Sequence, residues 1–280
     1  MSKLTIGYKT IGFWISIIIL TMLMLLAVSC QPEQQGHASN PEAIAQNELG
    51  MKMYSEKAYD KAVLYFDRAL EKDPSNASVY CNKGLTLNAM GKFDQAIQCY
   101  DQAIQYDPNF ADAWYYRGVS NHNKKQPDKA LENFDKAISI KGDEAVYWYD
   151  KGFVYTEQGK YTEAIPCYVK TTSLWSDNSE VWDRLAYAQM KSKLYDDVLK
   201  STDKSISLNP AGAFAWGHKA MALHELRRYD EAIVAFDKAL ALDVNKPALW
   251  YSKGLTLETL KRTAEAKKCY DKARALGYQF

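Results

Sequence analysis

The sequence predicts an all-α protein, a solenoid of helix pairs, and two observations carry that prediction. The first is a strict 34-residue period. Ala62, Ala96, Ala130, Ala164, Val198, Ala232 and Ala266 recur at that step, as do Tyr80, Trp114, Trp148, Trp182, Trp216 and Trp250. Residues 43–280 number 238, which is seven periods of 34 with nothing inserted. A fixed period of this size is the signature of stacked supersecondary units. The second observation is that each period holds two helical segments around a break such as MGKFD or QGKYT.

Taken in order, residues 1–30 come first. Lys3 and Lys9 precede IGFWISIIILTMLMLLAV, an uncharged run from Ile11 to Val28. Eighteen residues at helical rise cover about 27 Å, enough to cross a hydrocarbon core. No cation follows until Lys52, so the positive-inside rule keeps the N-terminus in the cytoplasm and puts the body outside. The run ends LLAVSC, which resembles the lipobox of bacterial and archaeal lipoproteins, with Cys30 as the lipid attachment residue. Ala27 stands where that pattern prefers Leu, Val or Ile. Two anchors therefore stand side by side, a lipidated Cys30 after cleavage and an uncleaved signal anchor. Both imply an array tethered to the cell membrane on its extracytoplasmic side. Residues 31–42, QPEQQGHASNPE, read as a polar linker.

The repeats follow at 43–76, 77–110, 111–144, 145–178, 179–212, 213–246 and 247–280. Within the first helix of each, the aromatic at position 4 and the Gly or Ala at position 8 share a face. Small residues at positions 8, 20 and 27 let the two helices approach closely. The Trp series reads as core. Cys99, Cys167 and Cys269 share position 23, too far apart for disulfides, and read as small buried hydrophobes. Pro166 follows Thr162, the expected N-cap, and so should cost one bond in the first turn.

These residues resemble tetratricopeptide repeats: W-x-x-[KR]-G, then Tyr or Phe at 17, Ala at 20, Tyr or Phe at 24, Ala at 27 and Pro at 32. The resemblance spans residues 43–280. It implies antiparallel helix pairs stacked into a right-handed superhelical solenoid. The first helix of each pair would line a concave groove that binds peptides or partner proteins.

One feature departs from that family. Position 7, usually Leu, is Lys83, Arg117, Lys151, Lys219 and Lys253 in repeats two, three, four, six and seven. Position 25 is Asp67, Asp101, Asp135, Asp203, Asp237 and Asp271, with Val169 in repeat four. Pairing each acid with the base of the next repeat works throughout: Asp67 with Lys83, Asp101 with Arg117, Asp135 with Lys151, Asp203 with Lys219, Asp237 with Lys253. Where Val169 removes the acid, Leu185 removes the base. The sequence therefore predicts an inter-repeat salt-bridge ladder, since a base beside a core needs a partner. Solvated lysines that snorkel past the core are the plainer alternative.

The ends read as polar caps: Gln46 replaces an aromatic, and Lys267 and Arg274 replace apolar residues. The family's separate capping helix is missing, which should leave apolar surface around Leu249 and Leu260. Repeats four and five lose consensus together at Thr171, Ser176, Val198, Thr202 and Ser205, so the array should loosen over residues 170–205.

The groove positions that the resemblance implies carry Tyr115, Val119, Tyr149, Phe153, Tyr187, Tyr251 and Leu255. Acids there and at the rim include Glu48, Asp112, Asp150, Glu157, Glu180, Asp183, Glu225 and Glu258, against Arg184 and Lys191. The basic clamp by which the family's chaperone adaptors hold acidic tails is absent. An acidic, aromatic groove suits an apolar or basic peptide. Part of the stripe reads equally as helix-packing surface.

Composition narrows the function. The chain is 47% hydrophobic and 25% charged with net charge +1, so it offers no nucleic-acid footprint. It has no C-x-x-C pair, no nucleotide-binding glycine motif and no hydrolase motif, and its histidines lack metal-ligand spacing. The expectation is a non-catalytic, membrane-tethered interaction scaffold without cofactor or metal. The alternatives are a regulatory or accessory subunit of a membrane-associated enzyme complex, or an enzyme.

Overall fold

The computed structural model describes residues 40–280; the apolar run and Cys30 lie outside them. Among the described residues there are fourteen α-helices and no strand. They are α1 (Pro41–Ser55), α2 (Tyr59–Lys72), α3 (Ala77–Ala89), α4 (Phe93–Tyr106), α5 (Ala111–Asn123), α6 (Pro127–Ile140), α7 (Ala145–Glu157), α8 (Tyr161–Leu174), α9 (Ser179–Lys191), α10 (Tyr195–Leu208), α11 (Ala213–Glu225), α12 (Tyr229–Leu242), α13 (Pro247–Thr259) and α14 (Thr263–Ala275). Each repeat is one antiparallel pair. The chain forms two compact units, one ending at Lys141 and the other spanning Gly142–Phe280.

The helix boundaries follow from local chemistry. Asn40, Asn76 and Asn178 cap their helices by accepting from the backbone N–H of Glu42, Val79 and Glu180. Each first helix ends in a tight turn whose third residue is left-handed: Gly91 and Gly159, but also Lys57, Lys125, Lys193, Arg227 and Lys261. The turn closes by paired backbone bonds, as from Gly91 N to Asn88 O and from Lys92 N to Leu87 O, both 2.9 Å. The second helices lack side-chain caps but begin with acids such as Asp60, Asp94, Asp128 and Glu265, which complement the positive helix N-terminus.

In repeats one, two, three and seven the core of the pair is a ring driven against a glycine. A methyl group added to Gly50, Gly84, Gly118 or Gly254 would lie 2.5–2.7 Å from the ring of Phe66, Tyr100, Phe134 or Tyr270 respectively. Position 8 is therefore small because position 24 is large. Repeat five shows the converse. Thr202 replaces the ring and Ala186 replaces the glycine, and both are fully buried.

Among the consensus losses in repeats four and five, Thr171, Thr202 and Ser205 are buried but bonded, while Ser176 is exposed. The Thr171 and Thr202 hydroxyls donate to the carbonyls of Cys167 and Val198 at 2.9 and 2.8 Å, and Ser201 donates to Gln189 at 2.8 Å. Pro166 sits at the sixth residue of α8, because the helix starts at Tyr161 rather than after Thr162. The disturbance thus falls in the second turn. Cys81, Cys99, Cys167 and Cys269 are buried and form no disulfide among the described residues. Burial pushes the Cys99 thiol up to about 11, which keeps it protonated and inert.

At the far end, Gly277 turns the chain back with φ +87°, and the rings of Tyr278 and Phe280 settle 5.0 and 4.6 Å from that of Tyr251. Phe280 also meets Tyr270 at 5.5 Å and lies under the Arg274 guanidinium at 4.7 Å. This tail lies against Tyr251 and Tyr270 of the last pair, while Phe280 itself remains exposed. Leu249 and Leu260 are themselves packed against core clusters.

Candidate functional site

The position-7 cations lie at repeat junctions. Lys83 Nζ is 2.6 Å from Asp67 Oδ1, Arg117 Nη1 is 2.5 Å from Asp101 Oδ1, and Lys219 Nζ is 2.5 Å from Asp203 Oδ1. Lys253 pairs with Asp237 in the same way. Asp135 and Lys151 belong to different units. In all four pairs the base is the more enclosed partner, its side chain 15–26% exposed against 46–58% for the acid. At the last repeat Asp271 takes its cations from its own helix, Lys267 at 2.7 Å and Arg274 at 3.6 Å.

Each of four cations also lies over the Trp one turn before it. Arg117 is 4.4 Å from the Trp114 ring centroid; Lys151, Lys219 and Lys253 are 5.6–5.9 Å from those of Trp148, Trp216 and Trp250. The Trp residues of this series are half-buried rather than enclosed core, with Trp216 and Trp250 packed against core clusters. Each indole N–H of the position-4 series donates to a loop carbonyl six residues back: Trp114 to Pro108, Trp148 to Gly142, Trp182 to Ser176, Trp216 to Pro210 and Trp250 to Val244, at 2.9–3.1 Å. One indole thus pins a loop and presents its face to a cation.

The expected groove residues divide by burial. Tyr115 and Tyr149 are only 4% and 5% exposed. Tyr115 packs on Tyr116 and Phe134, with centroids 4.9 and 5.7 Å away, and Tyr149 packs on Tyr168 at 6.0 Å. They form the floor. Val119, Phe153, Tyr187 and Tyr251 are half-buried, and Tyr251 lies under the tail.

In the second unit the first helices α7, α9 and α11 bring a line of side chains together. The Tyr149 hydroxyl donates to Glu180 Oε1 at 3.2 Å, and Arg184 Nη2 bonds the same oxygen at 3.3 Å. Arg184 lies 6.0 Å from the Phe153 ring, and Lys191 lies 5.4 Å from that of Tyr187. Tyr187 meets Phe214 at 6.5 Å and His218 at 5.9 Å. His218 Nδ1 is 3.0 Å from the Phe214 carbonyl, and burial holds its pKa down at about 4, so it is neutral at pH 7. Asp183 accepts a 2.6 Å bond from the Ser205 hydroxyl, and burial pushes its carboxyl up to about 6.

In the first unit, amides tie successive first helices. Asn82 Nδ2 donates to Asn47 Oδ1 at 3.1 Å, and the Ser120 hydroxyl to Asn88 Oδ1 at 3.0 Å. Sequence reasoning missed these ties and the Phe214–His218 stack. The one available signal was that all six residues fall in first helices, several at positions the resemblance assigns to the groove or its rim. Among the described residues no group of His, Cys, Asp and Glu could hold a metal.

Comparison with known proteins agrees with this architecture. A family profile described as TPR repeat matches residues 84–125. Profiles described as tetratricopeptide repeat match residues 65–98, 111–143, 145–174, 213–246 and 247–273. Stress-induced-phosphoprotein 1 of Caenorhabditis elegans is 46% identical over 41 residues, 15% of this chain and 13% of that protein. Among solved structures, YrrB, described as a TPR protein with an unusual peptide-binding site, superposes with TM-score 0.61 at 20% identity. It covers 70% of this chain and 97% of its own. A TPR repeat-containing protein from Cytophaga hutchinsonii gives TM-score 0.67 at 15% identity, over 82% of this chain and 95% of its own. A tetratricopeptide repeat protein from Parabacteroides merdae gives 0.56 at 16%, over 86% and 95%. Seven helix pairs on a 34-residue period, matched by these profiles along most of their length, place the chain in the tetratricopeptide repeat family.

Proposed function

We propose that the protein is a non-catalytic interaction scaffold that holds a peptide or protein segment along the first helices of its repeats. Residues 1–30 tether it to the cell membrane and the repeats lie on the extracytoplasmic side. The observation that carries the binding role is the line of half-buried Phe153, Tyr187 and Phe214 with Arg184 and Lys191 laid over two of the rings. Aromatic faces edged by charged groups recognise an extended chain through apolar contact and orient it through charge. YrrB, so described, adds support for a peptide as the occupant.

The test is capture of partners from solubilised membranes. Phe153→Ala with Tyr187→Ala should weaken capture with little change in melting. Tyr115→Ala and Tyr149→Ala serve as floor controls and should each cost about 3–5 kcal/mol of stability. Unchanged capture by the double variant overturns the groove. Protease added to intact spheroplasts tests the topology, and full protection before lysis overturns it. Cys30→Ser distinguishes the anchors, since only a lipoprotein then loses its lipid label.

A further inference from the structure

Asp183 has no counterpart among its equivalents. At position 5 the other repeats carry Asn47, Cys81, Tyr115, Tyr149, Gly217 and Tyr251. Its carboxylate accepts from the neutral Ser205 hydroxyl, and no cation ion-pairs with it among the described residues. The adjacent Arg184 is turned to Glu180 instead. A carboxylate has about four acceptor positions, so acceptor capacity remains while part of its hydration is gone. Its raised pKa reports the same deficit. One turn along the same helix face stands Tyr187, with Phe214 and neutral His218 against it. Lys191 follows one turn beyond Tyr187, and its ammonium lies 5.4 Å from that ring.

We infer that Asp183 anchors one basic side chain, arginine above lysine, of the peptide that occupies the groove. The guanidinium lies against Tyr187 and Phe214, and its N–H groups meet the carboxylate. Arginine is favoured because its planar fork matches a carboxylate and stacks on rings, which a lysine ammonium does not do. The inference rests on the groove reading above and assigns its charge preference to one residue.

The probe is a labelled peptide of alternating leucine and arginine, with citrulline and glutamate counterparts, titrated against the full-length protein in detergent. The arginine peptide should bind at least about tenfold more tightly than the citrulline one, as expected for an enclosed charge pair. Asp183→Asn should abolish that preference, and Ser205→Ala, which leaves the carboxylate, should keep it. Equal affinity for arginine and citrulline, a preference that survives Asp183→Asn, or no binding of the arginine peptide overturns the inference. Phe153→Ala with Tyr187→Ala separates the two readings. If this pair weakens every peptide while charge preference is absent, the groove stands and the Asp183 site falls. If it changes nothing, both fall.

Discussion

Arg117 Nε donates to Asn133 Oδ1 at 2.7 Å, across the two helices of repeat three. The same guanidinium holds Asp101 of the repeat before and lies over Trp114. Arg117 is the one arginine among the position-7 cations, and Asn133 is the one asparagine at position 23. A lysine can reach the acid but cannot also serve the amide. Arg117→Lys should therefore cost about 1–2 kcal/mol in urea unfolding, since buried Asn133 loses a charged donor. Adding Asn133→Ala should recover part of that loss. A double variant no more stable than the single would show that the amide bond contributes nothing.

The glycine–ring contact makes a paired prediction. Gly84→Ala places a methyl 2.6 Å from the Tyr100 ring and should cost about 1–3 kcal/mol. Tyr100→Thr in the same chain, copying the Ala186–Thr202 pair, should relieve the clash, although it forfeits the ring's burial. Ala186→Gly should lose only about 1 kcal/mol from helix propensity. Thermal unfolding of the three variants separates clash from propensity.

Leu185 is 3% exposed and Val169 is 49% exposed, the same asymmetry that the charged rungs show. Leu185→Lys alone should destabilise, because it encloses an ammonium without a partner. Val169→Asp added to it should restore part of the stability, with a coupling energy of about 0.5–3 kcal/mol. Strictly additive effects would mean that positions 25 and 7 do not meet at this junction.

Two neighbouring groups give opposite pH slopes. His218 is held down at about 4, so the unfolded chain binds a proton that the fold refuses, and stability falls as pH drops from about 6.5 toward 4. Asp183 is pushed up to about 6, so its contribution is full below about 3.8 and is lost as pH rises through 6. Glu180 and Arg184 act on Asp183, and Lys191 acts on His218. Between pH 4 and 6 the two slopes offset each other. Asp183→Asn should steepen the loss of melting temperature toward acid, while His218→Phe should make stability decline from pH 4 to 6. Parallel profiles in both variants would contradict this assignment.

The repeat architecture was legible because a periodic signal repeated seven times is self-checking. The ladder was legible for a sharper reason: Val169 and Leu185 fail together, as pairing across a junction requires. The Trp role was not. A half-buried indole that bonds a loop carbonyl and a core indole leave the same 34-residue spacing. Tyr115 and Phe153 likewise share the groove pattern, yet one is floor and the other is surface. Burial at such positions depends on the ring chosen by the opposing helix, which no single-helix pattern encodes. The tail formed by Tyr278 and Phe280 escaped because it occurs once, outside the helical part of the repeat. Hydroxyls in repeats four and five read as lost consensus, although the structure bonds each buried one named here to a nearby acceptor.

The alternation of charge behind these rungs also governs how such an array can change in length. Repeats two, three and six carry a cation at the front and an aspartate at the back, so any of them can be duplicated or deleted whole and every new neighbour still finds its opposite charge. Repeat four has Lys151 at its front and Val169 at its back, and repeat five has Leu185 and then Asp203. Removing repeat five alone would set Val169 against Lys219 and strand an ammonium at a packed seam. Repeats four and five can be copied or lost only as a pair, a splice rule written into the chain by four side chains.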